Sequence, residues 1–171
     1  EASHVWLAAG WGTNAMKLSD SMHATWAAIL RRSLPTVRLM VRSHSGALDD
    51  AFKESVRRLY ASAGIAPSRL VFCVNVPAGA QLHALLAAVD VVLDTAPYAA
   101  HSSAMDALAH GAALVALVDG GTPSRMVRGS HVAVANASAT SASGIAVAHS
   151  LMEYEDAAVA LARRAHTWLR E

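Results

Sequence analysis

The sequence has little cysteine, little charge and no long uninterrupted apolar run. Cys73 is the single cysteine among 171 residues, which excludes an internal disulfide and favours a cytoplasmic or nuclear compartment. Charged residues make up 16% of the chain and the net charge is +1, so neither nucleic acid nor an acidic partner is indicated. The apolar stretch 107–118 is interrupted by His110 and Gly111 and is too short to span a bilayer. We therefore expect a soluble protein without a membrane partner.

Several catalytic and metal-binding motifs are also missing from the sequence. It contains no Gly-x-Ser-x-Gly elbow, no Gly-x-x-x-x-Gly-Lys loop and no Gly-x-Gly-x-x-Gly fingerprint, which argues against a serine hydrolase, a P-loop enzyme and an NAD-binding protein. None of the nine histidines forms His-x-His or His-Glu-x-x-His. We predict that the protein uses no metal and no cofactor.

The length and the hydrophobic content of the chain indicate one globular domain. Hydrophobic residues make up 54% of the chain, which is enough for a sizeable core, and 171 residues fit a single domain. The chain opens at Glu1 without an initiator methionine and enters an apolar stretch within four residues. We therefore expect 1–171 to be a single domain cut from a longer protein.

Strand-like and helix-like segments alternate along most of the chain. This alternation predicts parallel strands joined by right-handed helical crossovers, a doubly wound, Rossmann-like α/β fold that binds ligands beyond the carboxyl ends of its strands. The predicted strands are His4–Ala9, Val37–Val41, Arg69–Val74, Val89–Leu93 and Ala113–Val118. The predicted helices carry Met22, Trp26, Ile29 and Leu30, then Leu48, Phe52, Val56 and Leu59 before Gly64, followed by Ala80–Ala88 and Ser103–His110.

The end of the chain is less regular. Thr122-Pro123 has the pattern of a helix start, and Ala133–Gly144, rich in Ala, Ser and Thr, is typical of a loop. A last helix is predicted from Glu153 to Arg170, with Tyr154 on its apolar face. We expect this helix to pack back across the sheet.

The stretch from Asp94 to Asp106 combines a strand end, a polar loop and a helix start. Pro97 predicts a turn, and Ser102 or Ser103 can cap the helix that follows. Backbone N–H groups at such a helix start can bind a phosphate, with hydroxyls and an imidazole as further donors. The alternative is that Ser103-x-x-Asp106 is a capping box without a ligand.

The loop after the first strand carries Lys17, one of two lysines in a chain that otherwise uses arginine. A lysine in this position can reach a phosphate as a compact point charge, although a solvated surface lysine is the more common case. Asn14 in the same loop can make a side-chain hydrogen bond.

Taken in order, the short motifs resemble the carboxyl-terminal catalytic half of protein O-GlcNAc transferase and its plant (SPINDLY-like) and bacterial relatives. The resemblance extends from about Trp11 to Trp168. The matching residues are Asn14-x-x-Lys17, Leu93-Asp94-Thr95, Pro97-Tyr98, His101-Ser102-Ser103-x-Met105-Asp106-Ala107-Leu108, Gly111, Ser124-Arg125 and Glu153-Tyr154-Glu155-Asp156.

This resemblance implies the nucleotide-sugar-binding half of a GT-B glycosyltransferase. Such enzymes transfer N-acetylglucosamine, or fucose in some plant relatives, from a nucleotide diphosphate to serine and threonine hydroxyls of proteins, and the family mechanism is inverting and metal-independent. The donor partner is then a UDP-sugar such as UDP-GlcNAc, while the protein acceptor binds through parts that precede this half. No catalytic base is implied here, and the domain alone is expected to be inactive.

The resemblance also carries roles to individual positions. Lys17 matches the lysine that contacts the diphosphate, with Asn14 beside it. The family's His-Thr-Thr segment, which holds the phosphates, corresponds to His101, Ser102 and Ser103. Asp106 matches the aspartate that hydrogen-bonds the ribose, and Val76-Pro77 resembles the segment whose backbone reads the base.

Other positions depart from the family pattern. Ala78 replaces a lysine, and Gln81 or Leu82 replaces a histidine that stacks on the base, with His83 nearby but out of register. The Asn-Gly pair that usually precedes the His-Thr-Thr segment is replaced by Ala99-Ala100, and the Thr-Pro or Val-Pro that follows the glycine in the family is replaced by Ala112-Ala113 after Gly111. These losses favour one alternative, a non-catalytic interaction module descended from such an enzyme. A second alternative is another GT-B nucleotide-sugar enzyme, such as an epimerase, which would keep the nucleotide and change the sugar.

Overall fold

A computed structural model describes residues 4–9, 19–42, 47–73, 76, 79–97, 99, 102–118 and 144–168. These residues contain six strands, all parallel, in one sheet. The strands are β1 (Val5–Ala9), β2 (Val37–Arg42), β3 (Leu70–Cys73), β4 (Val91–Leu93), β5 (Ala113–Leu117) and β6 (Ile145–Ala148), in the spatial order β3-β2-β1-β4-β5-β6. The predicted doubly wound, Rossmann-like fold is confirmed.

The described helices follow the strands in the expected alternation. They are α1 (Asp20–Arg32), α2 (Ala47–Ser62), α3 (Ala80–Ala87), α4 (Ser102–Ala109) and α5 (Leu151–Trp168), with a short 3₁₀ turn at Pro67–Arg69 before β3. Gly64, the predicted stop signal of α2, has a φ of +77°, a conformation that glycine adopts without a steric penalty. Among the described residues no helix is both long and apolar enough to cross a membrane.

Two hydrophobic layers cover the two faces of the sheet. On one face, Val5, Leu7 and Ala9 of β1 pack with the apolar sides of α1, α2 and α5. On the other, Ala8 of the same strand joins the layer that includes residues of α3 and α4. Because successive side chains of a strand point to opposite faces, a central strand buried on both sides is apolar throughout.

The predicted apolar face of the first helix agrees with the observed burial. Met22, Trp26, Ile29 and Leu30 are at most 1% exposed. Their recurrence at helical spacing therefore identified the side of α1 that faces the sheet. The prediction that α5 packs across the sheet is also confirmed, because Tyr154 and Ala158 are fully buried in the same layer as β1.

Three local predictions need correction. Strand β6 was not predicted, since Ile-Ala-Val-Ala is a short run whose strand conformation depends on pairing with β5. Helix α5 begins at Leu151, two residues before Glu153. Helix α4 begins at Ser102, so neither Ser102 nor Ser103 is its N-cap.

The predictions for Thr122-Pro123 and for most of Ala133–Gly144 concern residues outside the described ranges.

Candidate functional site

The order of the strands reverses between β1 and β4. From β1 the chain moves outward to β2 and β3, whereas β4, β5 and β6 lie on the other side of β1. Ala9, at the carboxyl end of β1, is paired with Leu93, at the carboxyl end of β4. The connections that leave these two strands diverge to opposite faces, which opens a crevice where ligands bind in folds of this type.

The loop after β4 is anchored at its first residue. Asp94 is fully buried, and its backbone N–H donates to the carbonyl oxygen of Val115 at 3.0 Å. Its carboxylate accepts a 2.8 Å hydrogen bond from the backbone N–H of Thr95. These contacts set the direction in which the chain leaves the sheet toward α4.

The start of α1 lies against this loop. Ser19 is the N-cap of α1, and its hydroxyl oxygen accepts a 3.3 Å hydrogen bond from the backbone N–H of Met22. The same hydroxyl donates to the carbonyl oxygen of Ala96 at 3.4 Å, a contact between residues 77 positions apart. The end of the β1 loop and the loop after β4 are therefore neighbours in space.

A buried tyrosine from α5 supports the same loop. The Tyr154 hydroxyl donates to the carbonyl oxygen of Asp94 at 2.6 Å and accepts from the indole N–H of Trp26 at 3.3 Å. Burial raises the pKa of Tyr154 well above its ordinary value, and the Trp26 hydrogen bond opposes that rise in part. The phenol is thus protonated at neutral pH, as a donor to Asp94 must be.

Ion pairs on the surface join the two helices that supply this support. Arg32, near the end of α1, pairs with Glu155 at 2.8 Å and with Asp156 at 2.7 Å, both on α5. Tyr154 lies beside them in the quoted Glu153-Tyr154-Glu155-Asp156 motif. The motif was recognised from the sequence, but the supporting role of Tyr154 was not, because the hydroxyl of Tyr154 donates to a backbone carbonyl, and Trp26 contributes only through that hydroxyl.

Helix α4 directs its amino-terminal end toward the same edge of the sheet. It begins at Ser102 and is eight residues long. The first-turn N–H groups of an α-helix have no partner within the helix and carry a positive partial charge, which favours an anion. Asp106, one turn into the helix, has an exposed side chain.

Val76 lies on the connection between β3 and α3, not on the loops after β1 and β4. It follows β3, which is an outer strand of the sheet, and its side chain is half-buried. The next element is α3, which packs in the layer shared with α4. The connection that contains Val76 therefore leads from the far edge of the sheet toward the helix beside α4.

The remaining predicted site residues lie outside this description. Asn14, Lys17, Pro77 and His101 fall outside the described residues, and Ser102 and Ser103 are described by their backbone alone. Their assigned roles remain predictions. What the structure brings together is the framework of the predicted site, from Ser19 to the start of α4.

Comparison with solved structures identifies the fold. The O-GlcNAc transferase of Thermobaculum terrenum matches 99% of this chain with a TM-score of 0.73 and 26% identity. The carboxyl-terminal domain of the group 1 glycosyl transferase LpcC from Francisella tularensis matches 95% of the chain, with a TM-score of 0.52 and 15% identity, over 86% of that domain. HepE from Anabaena, in complex with UDP and glucose, matches 99% of the chain with a TM-score of 0.53 and 12% identity.

The matches concern one part of the larger enzymes. The chain spans 30% of the length of the O-GlcNAc transferase and 49% of HepE. No protein-family model and no curated protein matches the sequence. The resemblance to the carboxyl-terminal half of O-GlcNAc transferase is confirmed, and the chain has the Rossmann-like α/β fold of a GT-B glycosyltransferase domain.

Proposed function

We propose that this chain is the donor-binding domain of a protein O-GlcNAc transferase-like enzyme. The domain binds a UDP-sugar, with UDP-GlcNAc as the main candidate, and the complete enzyme transfers the sugar to Ser and Thr hydroxyls. The observation that carries the proposal is the contact between the Ser19 hydroxyl and the Ala96 carbonyl. It joins the two loops that the resemblance assigns to the diphosphate. The similarity to an O-GlcNAc transferase supports the choice of sugar and acceptor.

The proposed binding follows from the position of the two loops. Lys17 precedes Ser19 by two residues in the sequence, and its proposed role is to place an ammonium on the diphosphate beside the loop after β4. The start of α4 offers backbone N–H groups, and His101, Ser102 and Ser103 add donors to the same phosphates. Asn14 assists beside Lys17. Two different segments would thus contribute positive charge to one diphosphate.

The remaining contacts would hold the nucleoside. Asp106 is exposed, and a carboxylate at this place can accept hydrogen bonds from ribose hydroxyls. The backbone of Val76-Pro77 would contact the base.

The chemistry of this half would be electrostatic. When the glycosidic bond breaks, the leaving diphosphate gains negative charge, and fixed donors that stabilise this charge lower the barrier. Lys17, His101 and the first turn of α4 would supply this stabilisation without a metal. The acceptor and any group that accepts its proton would belong to the rest of the enzyme.

A calorimetric titration with UDP and UDP-GlcNAc tests the proposal. A charge-assisted contact contributes about 1.5–3 kcal/mol, so Lys17→Ala should weaken binding by about ten- to a hundredfold. Ser102→Ala should have a smaller effect in the same direction. Lys53→Ala is the matched control, because Lys53 pairs with Asp49 on its own helix and should not change binding.

The titration also separates the alternatives. Equal binding by the wild type and Lys17→Ala, or no binding by either, would refute the nucleotide role and favour an interaction module. Tighter binding of UDP-GlcNAc than of UDP-glucose would support the proposed donor, whereas the reverse order would contradict it.

A further inference from the structure

A cavity of about 230 Å³ lies at the outer edge of the sheet, away from the crevice between β1 and β4. Helix α2, the 3₁₀ turn that begins at Pro67 and the first residue of β3 enclose it. Tyr60 and Ile65, which are at most 5% exposed, form part of its lining together with the half-buried Leu70. The cavity therefore offers an apolar surface to a ligand.

Hydrogen bonds hold the walls of this cavity in place. At the end of α2, the chain turns at Gly64, and the backbone N–H of Ile65 donates to the carbonyl oxygen of Tyr60 at 2.9 Å. At the end of the 3₁₀ turn, Nε of Arg69 donates to the carbonyl oxygen of Val37 at 2.9 Å, which ties the turn to β2. The cavity is thus formed before any ligand binds, so a ligand does not have to order its own site.

Two arginines and one glutamate of α2 contribute charge to the lining. Nε of Arg58 donates to the carboxylate of Glu54 at 3.0 Å, whereas Nη1 of Arg57 lies 3.9 Å from that carboxylate, near the limit of an ion pair. A guanidinium has five N–H donors, and one carboxylate at this distance leaves most of them available to a ligand. The two guanidiniums outweigh the single carboxylate. The lining therefore favours a ligand with one negative charge.

The volume of the cavity limits the size of the ligand. An apolar cavity of about 150 Å³ accommodates benzene, so 230 Å³ holds one six-membered ring with a short substituent. Drug-sized ligands need about 300–1,000 Å³ and are too large. A sugar is disfavoured as well, because burial of its hydroxyls against apolar side chains would leave them without hydrogen-bond partners. A single aromatic ring that carries one carboxylate satisfies both the volume and the charge.

We propose that this cavity binds a small aromatic monocarboxylate, whose ring packs against Tyr60, Ile65 and Leu70 and whose carboxylate accepts hydrogen bonds from Arg57. The guanidinium carbon of Arg57 lies 5.1 Å from the centroid of the Phe72 ring, and this contact keeps the side chain beside the cavity. The cavity adjoins β3, two strands away from β1 in the sheet. The site is therefore separate from the proposed donor site, and neither requires the other.

Titration of the ¹⁵N-labelled chain with phenylacetate, followed by amide chemical shifts, tests the site. Binding should be saturable with a Kd of about 1 mM or below, and the shifts should concentrate at residues 54–70. 2-Phenylethanol, which keeps the ring without the charge, should bind at least about threefold more weakly. Acetate, which has the charge without the ring, should give no saturable shift at these amides. Absence of saturation by phenylacetate, or equal affinity for 2-phenylethanol, would overturn the proposal.

Two variants locate the binding in this cavity. Ala61 lines the cavity and is exposed, so Ala61→Trp should fill the space without disturbing the core and weaken phenylacetate binding by at least about tenfold. Ala51→Trp is the matched control, because Ala51 is exposed on the same helix but does not line the cavity. Arg57→Ala should weaken binding of phenylacetate by about three- to tenfold and leave that of 2-phenylethanol unchanged.

The amide spectrum of each variant verifies that it is folded. UDP should leave the affinity for phenylacetate unchanged, because the two proposed sites are separate. Wild-type affinity for phenylacetate in Ala61→Trp or in Arg57→Ala, or competition by UDP, would overturn the proposal.

Discussion

Replacement of Tyr154 by phenylalanine tests the support of the loop after β4. The substitution removes one hydroxyl and leaves the ring, which is fully buried, in place. It also removes both hydrogen bonds of that hydroxyl, to the carbonyl of Asp94 at 2.6 Å and from the indole of Trp26 at 3.3 Å. The perturbation is therefore polar and produces only a small cavity.

The size of the effect follows from the groups that lose their partner. A buried hydrogen bond contributes about 1 kcal/mol net, and a buried donor or acceptor left unsatisfied costs about 1–3 kcal/mol. Since Tyr154→Phe leaves one donor and one acceptor without a partner, we expect the free energy of unfolding to fall by about 2–6 kcal/mol. For a chain of this length this corresponds to a decrease in Tm of roughly 4–24 °C.

Tyr60→Phe provides a matched control. Tyr60 is as deeply buried as Tyr154, but its hydroxyl lies 3.5 Å from Nδ1 of His23, at the limit of a hydrogen bond. Its loss should cost less than about 1 kcal/mol. Chemical denaturation of the three proteins, monitored by circular dichroism, measures the difference. Equal stability losses for Tyr154→Phe and Tyr60→Phe would refute the supporting role of Tyr154.

Further predictions concern function, pH and binding. The chain by itself should transfer no sugar to a peptide, because the acceptor would bind the rest of the enzyme, and measurable transfer from UDP-GlcNAc in a radiolabel assay would contradict this. Burial lowers the pKa of His23 below its ordinary 6.5, and Asp20 opposes the shift. Because the unfolded chain then binds the proton more readily, stability should be retained above about pH 6.5 and decline below it. Chemical denaturation at pH 7.5 and 5.5 should show that the free energy of unfolding falls less for His23→Leu than for the wild type. An equal fall in both proteins would exclude His23 as the source of the pH dependence. Tyr154→Phe should also weaken UDP binding, measured by calorimetry, more than Tyr60→Phe does, if the loop after β4 contacts the diphosphate.

Much of the fold was predictable from local patterns. The apolar residues of α1 recur at helical spacing, and the strand runs of β1 and β5 are wholly apolar because central parallel strands are buried on both faces. The alternation of strands and helices then leaves parallel pairing as the natural topology. Strand β6 escaped prediction because four residues with two alanines have little strand preference without a neighbouring strand.

The framework of the site was predictable in part. The loop after β4 and the helix start near Ser102 followed from Pro97 and the paired serines, and Lys17 was recognised as an unusual lysine in a loop. The roles of Ser19 and Tyr154 were not predicted. Each bonds a backbone carbonyl more than 50 residues away, and every residue offers such a carbonyl, so the sequence carries no mark of the contact.

The sequence by itself determined most of the strands and helices, β6 excepted, because the periodicity of apolar residues is a local property of the chain. The tertiary structure alone decided which segments meet. The strand order places the end of β1 beside the end of β4, so that Ser19 reaches Ala96, and the packing of α5 on the sheet brings Tyr154 to Asp94. Such contacts depend on the order of strands in the sheet, and that order arises from the folding of the whole chain around its core.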